Sequence, residues 1–181
     1  HNLSPYFIEG TRTLSYEVAQ QLSGDIPDHV VMPVGNGSLF IGAWKGFEEL
    51  RKAGTLETLP RFHCIQAQAV RPIVAAQRGE EWAPAPGVGT IAGGIAAADP
   101  PRKHQILEVL TASRGVALAV ADDETLEWQR LLAGVEGIYA EPTSAAALAG
   151  LVRLIESGEV GPGDSVLVPV TGFGLKDAPP A

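Results

Sequence analysis

The residues best able to do chemistry lie in "VVMPVGNGSLFIGAWKGFEEL", residues 30–50. A short apolar run meets Gly35-Asn36-Gly37-Ser38, and a helix-like stretch follows. Glycines let the backbone approach a ligand closely, and the first helical turn holds N–H groups that lack an intrahelical acceptor. The helix dipole adds a potential favourable to negative charge, so phosphate suits this turn. The stretch is not a P-loop, because no Gly-Lys-Ser/Thr follows and Lys45 lies well inside the helix. It is not G-x-G-x-x-G, since Phe40 stands in the place of the third glycine. A nucleophile elbow on Ser38 would need glycine at 36 and 40, where Asn36 and Phe40 occur. Taken alone, a tight strand-to-helix turn with no ligand explains the stretch equally well.

Other stretches carry polar or flexible groups. "PVTGFGLKD" (169–177) ends an apolar run in Thr171-Gly172. Ligands of open parallel sheets sit beyond the C-terminal ends of strands, so Thr171 could offer its hydroxyl to a ligand held at 35–38. A hydroxyl both donates and accepts, which suits a heterocyclic nitrogen. A turn-forming threonine is the plainer explanation of that residue alone. "EPTSAAALAGL" (141–151) starts a helix with Thr143 and Ser144, whose roles as cap and packing residues suffice. "GTIAGGIAAADPPR" (89–102) is a glycine- and alanine-rich loop with no titratable group before Asp99 and Arg102. The four histidines show no ligand spacing, so no zinc site is expected. Cys64, the single cysteine, lies in an apolar run and reads as a buried, inert thiol.

These residues must be positioned by alternating helices and strands. Helices are expected at 8–22, 38–53, about 72–78, 101–113, 122–134 and 141–158, the fifth with Asp122 as its N-cap. Strands are expected at 29–34, 61–70, 115–120 and 164–172, with a short strand or bridge at 137–140. Residues 78–94 read as a Gly/Pro-rich loop and 177–181 as a frayed tail. The alternation predicts an α/β domain: an open, mainly parallel sheet with helices on both faces, in three layers. A length of 181 residues fits one domain with a real core rather than two.

Composition narrows the partners. The formal charge is −8 and the basic residues are scattered, which argues against a nucleic-acid surface. No apolar run is long enough to span a bilayer and no signal peptide is apparent. A lone cysteine fits a reducing, cytoplasmic setting. The chain opens at His1 without an initiator Met, as a processed product or part of a longer polypeptide would.

The set "EGTRTLSYEVAQQL", "PDHVVMPVGNGSLFIGAWKGFEEL", "TIAGGIAAADPPR", "EPTSAAALAGL" and "VTGFGLKD" occurs in the order seen in threonine-synthase-like enzymes. The chain resembles their C-terminal portion over nearly all of its length. They belong to the pyridoxal-phosphate (PLP) enzymes of fold type II, which share the tryptophan-synthase β-subunit fold. The resemblance implies that Gly35, Asn36, Gly37, Ser38 and Leu39 hold the PLP phosphate. It also implies that Thr171 contacts the pyridine nitrogen, a hydroxyl partner that does not force the ring to stay protonated. The implied reaction of the whole enzyme is conversion of O-phosphohomoserine to threonine and phosphate. The "T-G-x-G-L-K-D" ending favours this branch over dehydratases and cysteine synthases. Gly93 and Phe173 stand where the family often has an acidic residue and a histidine, and Arg12 replaces a common lysine. A serine/threonine dehydratase-like enzyme is therefore the alternative, and a non-catalytic phosphate-binding or subunit module is a third.

PLP enzymes need a Schiff-base lysine, and the family carries it upstream in an "S-F-K-D-R"-like segment. The four lysines here, Lys45, Lys52, Lys103 and Lys176, lie in no such segment. The resemblance thus assigns no catalytic residue to this chain and implies that it is inactive alone. Expected partners are a small amino-acid substrate and either a homo-oligomer or the missing N-terminal part, with no nucleic acid and no membrane.

Overall fold

Four runs of β-branched and small apolar residues supply the strands: β1 (His29–Pro33), β2 (Arg61–Ala67), β3 (Ala117–Val120) and β4 (Val166–Leu167). In the computed structural model, which describes residues 4–177, they pair in parallel in the order β3-β2-β1-β4. Seven helices connect and cover them: α1 (Pro5–Thr11), α2 (Thr13–Gln21), α3 (Ser38–Lys52), α4 (Pro72–Arg78), α5 (Lys103–Ser113), α6 (Asp122–Glu136) and α7 (Pro142–Glu156).

Strand side chains alternate between faces, so a continuously apolar strand serves two cores. Val30, Met32, Phe62 and Cys64 pack with α3 and α5 on one face. Val31, Ile65 and Ala67 pack with the alanines of α7 on the other. Phe62 sits edge-on to Phe40, Trp44 and Phe47, with ring centroids 5.3, 5.4 and 6.0 Å away. On the opposite face, a Cβ at Gly150 would collide with Ile65, so glycine sets how closely α7 approaches the sheet. Cys64 is fully buried and burial pushes its thiol pKa up, as an inert core residue requires.

Several boundaries differ from the sequence expectation. The helix expected at 8–22 begins earlier and divides at Arg12. The Thr11 hydroxyl bonds the carbonyls of Ile8 and Ser38 at 2.9 and 3.1 Å, a side-chain alternative to an uninterrupted ladder. The strand expected at 61–70 stops at Ala67, where Val70 N–H turns back to the Ala67 carbonyl. The strand expected at 164–172 keeps only two residues, both half-buried at the sheet edge. Pro169 has no N–H to continue a ladder, and the chain beyond it leaves for the start of α7. At 137–140 only Ala140 forms a bridge, antiparallel to Phe173. Asp122 is not the N-cap of α6 but its first residue, and its carboxylate accepts from Thr90 Oγ1 and Ile91 N–H instead. The Glu124 carboxylate closes that helix start by accepting the Ala121 N–H at 2.7 Å. The frayed tail expected at 177–181 lies, beyond Asp177, outside the described residues.

Candidate functional site

The site forms where β1 runs into α3. The ladder extends one residue past β1, with Val34 N–H bonded to the Ile65 carbonyl at 2.9 Å. Buried Gln66 braces the turn: its Oε1 accepts from the N–H of Ile73 and Val74, and its Nε2 donates to the Val34 carbonyl. Gly37, the last residue before α3, has φ +81°, a conformation that excludes most side chains. A Cβ at Gly35 would lie 2.6 Å from the Gly94 carbonyl oxygen and 3.1 Å from Ile95 Cα, so here backbone meets backbone.

No side chain caps α3. The N–H groups of Ser38, Leu39 and Phe40 therefore lack intrahelical acceptors at the positive end of the dipole. The Ser38 hydroxyl is buried and has no hydrogen-bond partner. Leaving such a group unpaired costs about 1–3 kcal/mol. Free amides, a spare buried hydroxyl and a glycine floor fit a tetrahedral oxyanion.

The turn opens on a cleft of about 300 Å³ lined by Gly35, Asn36, Gly37, Ser38 and Leu39, with Gly94, Glu141, Thr143, Thr171 and Lys176 around it. All six residues singled out from the sequence thus share one cavity. Thr143 and Ser144 do not cap their own helix, whose N-cap is Glu141. They clamp two loops instead. Thr143 Oγ1 accepts the Gly94 N–H at 3.0 Å, and Ser144 Oγ accepts the N–H of Thr171 and Gly172 at 2.9 and 3.2 Å. Glu141 was not among the sequence candidates. Its carboxylate is nearly buried and takes Thr171 Oγ1 at 3.2 Å and Lys176 Nζ at 2.6 Å. A glutamate before Pro at a helix start looks like an ordinary flank, so only the fold brings it to Thr171.

Three lysines can be placed by their partners. Lys45 pairs with Glu9 and Lys52 lies 4.0 Å from Glu48, both on α3 away from the cleft. Lys176 does line the cleft, which its sequence position did not announce. Its hydrogen bond to Glu141, reinforced by the charge of that carboxylate, raises its pKa above the ordinary lysine value. It is held as an ammonium, the wrong state for a nucleophile. Among the described residues, no group of three or more His, Cys, Asp or Glu is placed to hold a metal ion. No described helix is long and apolar enough to cross a membrane.

A strand-to-helix oxyanion turn facing a hydroxyl at the end of a parallel sheet defines an α/β cofactor-binding protein, and the family follows from direct comparison. Residues 1–172 match the model for pyridoxal-phosphate dependent enzymes, so the chain belongs to that family. It is 38% identical over 179 residues to threonine synthase of Methanocaldococcus jannaschii, covering 98% of this chain and 44% of that protein. Threonine synthase of Mycobacterium tuberculosis is 37% identical over 177 residues, covering 98% and 47%. The chain therefore spans less than half the length of these relatives. Among solved structures, L-serine ammonia-lyase of Rhizomucor miehei superposes with a TM-score of 0.74 at 23% identity, covering 92% of this chain and 52% of that one. A bacterial-type threonine deaminase, from T.th., gives 0.74 at 22% identity, covering 98% and 54%. The fold is that of the fold type II PLP enzymes, and the resemblance to threonine synthases read from the ordered segments holds.

Proposed function

We propose that this chain is the cofactor-cradling part of a PLP-dependent lyase of the threonine synthase type, which converts O-phosphohomoserine to threonine and phosphate in a cytoplasmic setting. The observation that carries the proposal is the convergence of the Gly35–Leu39 turn and Thr171 on one cleft. When bound there, PLP supplies an electron sink for elimination and replacement at an amino acid. Gly35, Asn36, Gly37, Ser38 and Leu39 hold its phosphate through backbone N–H groups and the Ser38 hydroxyl. Thr171 faces the pyridine nitrogen. The lysine that moves protons comes from outside these 181 residues, so the chain alone binds without turnover.

A dehydratase-type reaction is the second reading. Phe173, in place of the usual histidine of this turn, favours it, because it is 60% exposed and only stacks edge-on to Tyr139. Phosphate release from O-phosphohomoserine, against oxo-acid release from threonine or serine, separates the two once the lysine-bearing portion is supplied.

Addition of PLP followed by borohydride and peptide mapping tests the assignment. Saturable binding with no labelled lysine is expected. Stoichiometric labelling of Lys176 would mean that the active site is complete here and that the division of labour is wrong. Ser38→Ala gives an independent check. Removing an unpaired buried hydroxyl should stabilise the ligand-free chain by about 1 kcal/mol, yet weaken phosphate binding by roughly fivefold or more. Thermal melts and calorimetric titration would read both signs, and a loss of stability would contradict the phosphate role.

A further inference from the structure

The hydrogen bonds behind Thr171 have only one consistent direction. Ser144 Oγ accepts two N–H groups, from Thr171 at 2.9 Å and Gly172 at 3.2 Å, which occupy its lone pairs. Its proton is left for Thr171 Oγ1, 3.0 Å away. Thr171 in turn lies 3.2 Å from Glu141 Oε1, and a carboxylate paired with Lys176 at 2.6 Å only accepts. The arrows therefore run from the Thr171 and Gly172 amides to Ser144, from Ser144 to Thr171, and from Thr171 to Glu141. The Thr171 proton is committed to Glu141. What Thr171 shows the cleft is a lone pair.

We propose that Glu141 is a positioning residue that fixes the Thr171 hydroxyl as a hydrogen-bond acceptor, so that this site favours the protonated form of the cofactor's ring nitrogen. The proposal rests on PLP occupying the cleft. A hydroxyl free to rotate would serve a neutral or a protonated ring equally. One locked onto a carboxylate can accept from a ring N–H but has no proton for a bare nitrogen. The charged groups beside Thr171 are Glu141 from the start of α7, Lys176 from its own segment, and Asp177 beyond that lysine. Glycine at 172 is part of the device, because a Cβ there would run into the Glu141 carboxylate. The Glu141 N–H also bonds the Gly172 carbonyl at 3.0 Å, which locks backbone to backbone.

Pyridoxine 5′-phosphate labelled with 15N in the ring is the probe, since it has no aldehyde to react with a lysine. The ring-nitrogen shift of the bound probe is followed against pH. In Glu141→Gln, the side-chain amide can donate to Thr171 and release its hydroxyl proton toward the ring. The protonation midpoint should fall by about one pH unit or more relative to the unaltered chain. Glu141→Asp keeps the charge but loses the reach, and should shift the midpoint the same way; it also carries the test if the glutamine variant fails to fold. In a Thr171→Val background, Glu141→Gln should leave the midpoint unchanged. Identical midpoints in the unaltered chain and both Glu141 variants overturn the relay. A shift that persists in the Thr171→Val background also overturns it, since Glu141 would then act by its field alone. No saturable binding to the unaltered chain means instead that the cofactor assignment fails, and the relay with it.

Discussion

Gly35→Ala should lower the affinity for pyridoxine 5′-phosphate by about 100-fold or more. The added methyl would stand 2.6 Å from the Gly94 carbonyl oxygen and 3.1 Å from Ile95 Cα. Both neighbours are backbone, so neither can swing aside as a side chain would. Either the turn retreats from the loop at 93–95 or the loop moves into the cleft. In both cases the amides at the start of α3 lose their common aim. Charge-assisted hydrogen bonds contribute about 1.5–3 kcal/mol each, and losing two amounts to roughly 3–6 kcal/mol. That corresponds to more than about 100-fold in affinity. The fold should lose only about 1–3 kcal/mol, as overpacking usually costs. Calorimetric titration beside a denaturation curve would separate the two effects. Binding within about threefold of the unaltered chain would show that the glycine turn does not hold the phosphate.

The second large effect lies at the other end of β1. His29 and His63 are buried and adjacent, with His29 Nδ1 2.9 Å from His63 Nε2. Val116 N–H points at His63 Nδ1 from 3.3 Å, so a neutral His63 carries its proton on Nε2 and donates it to His29. His29 Nε2 then donates to Asp164 at 3.2 Å. The chain of bonds has no room for another proton. A protonated His63 would set one N–H against the Val116 N–H. Burial, with the charges of His29 and Arg61 adding to it, lowers the His63 pKa to about 3.

An unfolded His63 takes up its proton near pH 6.5, while the folded one refuses it. Its contribution to stability is therefore fully present above about pH 6.5. That contribution is lost as the pH falls toward the folded value near 3. The slope approaches about 1.4 kcal/mol per pH unit, or roughly 2 kcal/mol between pH 7 and 5. His63→Gln can keep both hydrogen bonds without titrating. Urea unfolding at the two pH values should show the unaltered chain losing about 2 kcal/mol more than the variant. Parallel losses would remove His63 as the cause.

Much of this was legible before any coordinates. The apolar run at 29–33 and the glycines at 35 and 37 announced a strand, a turn and a helix start, because strand burial and left-handed turns leave local marks. Thr171 could be placed near that turn from topology alone, since parallel strands end on one side of the sheet. Glu141, Lys176 and the His29–His63 pair could not. Glu141 and Thr171 are 30 residues apart, and His29 and His63 are 34 apart. No periodicity links such positions. The short edge strand was over-read for a related reason: "VLVPV" has the composition of a buried strand, but only one neighbour pairs with it.

Sequence alone determined the α/β alternation, the family and the glycine turn, all of which rest on local propensity and on residues close together in the chain. Tertiary structure decided which way the Thr171 hydroxyl points, why Lys176 stays an ammonium and how two histidines share one proton path. Those properties depend on distances of about 3 Å between groups far apart in sequence, and hydrogen bonding is steep enough that only folding sets them.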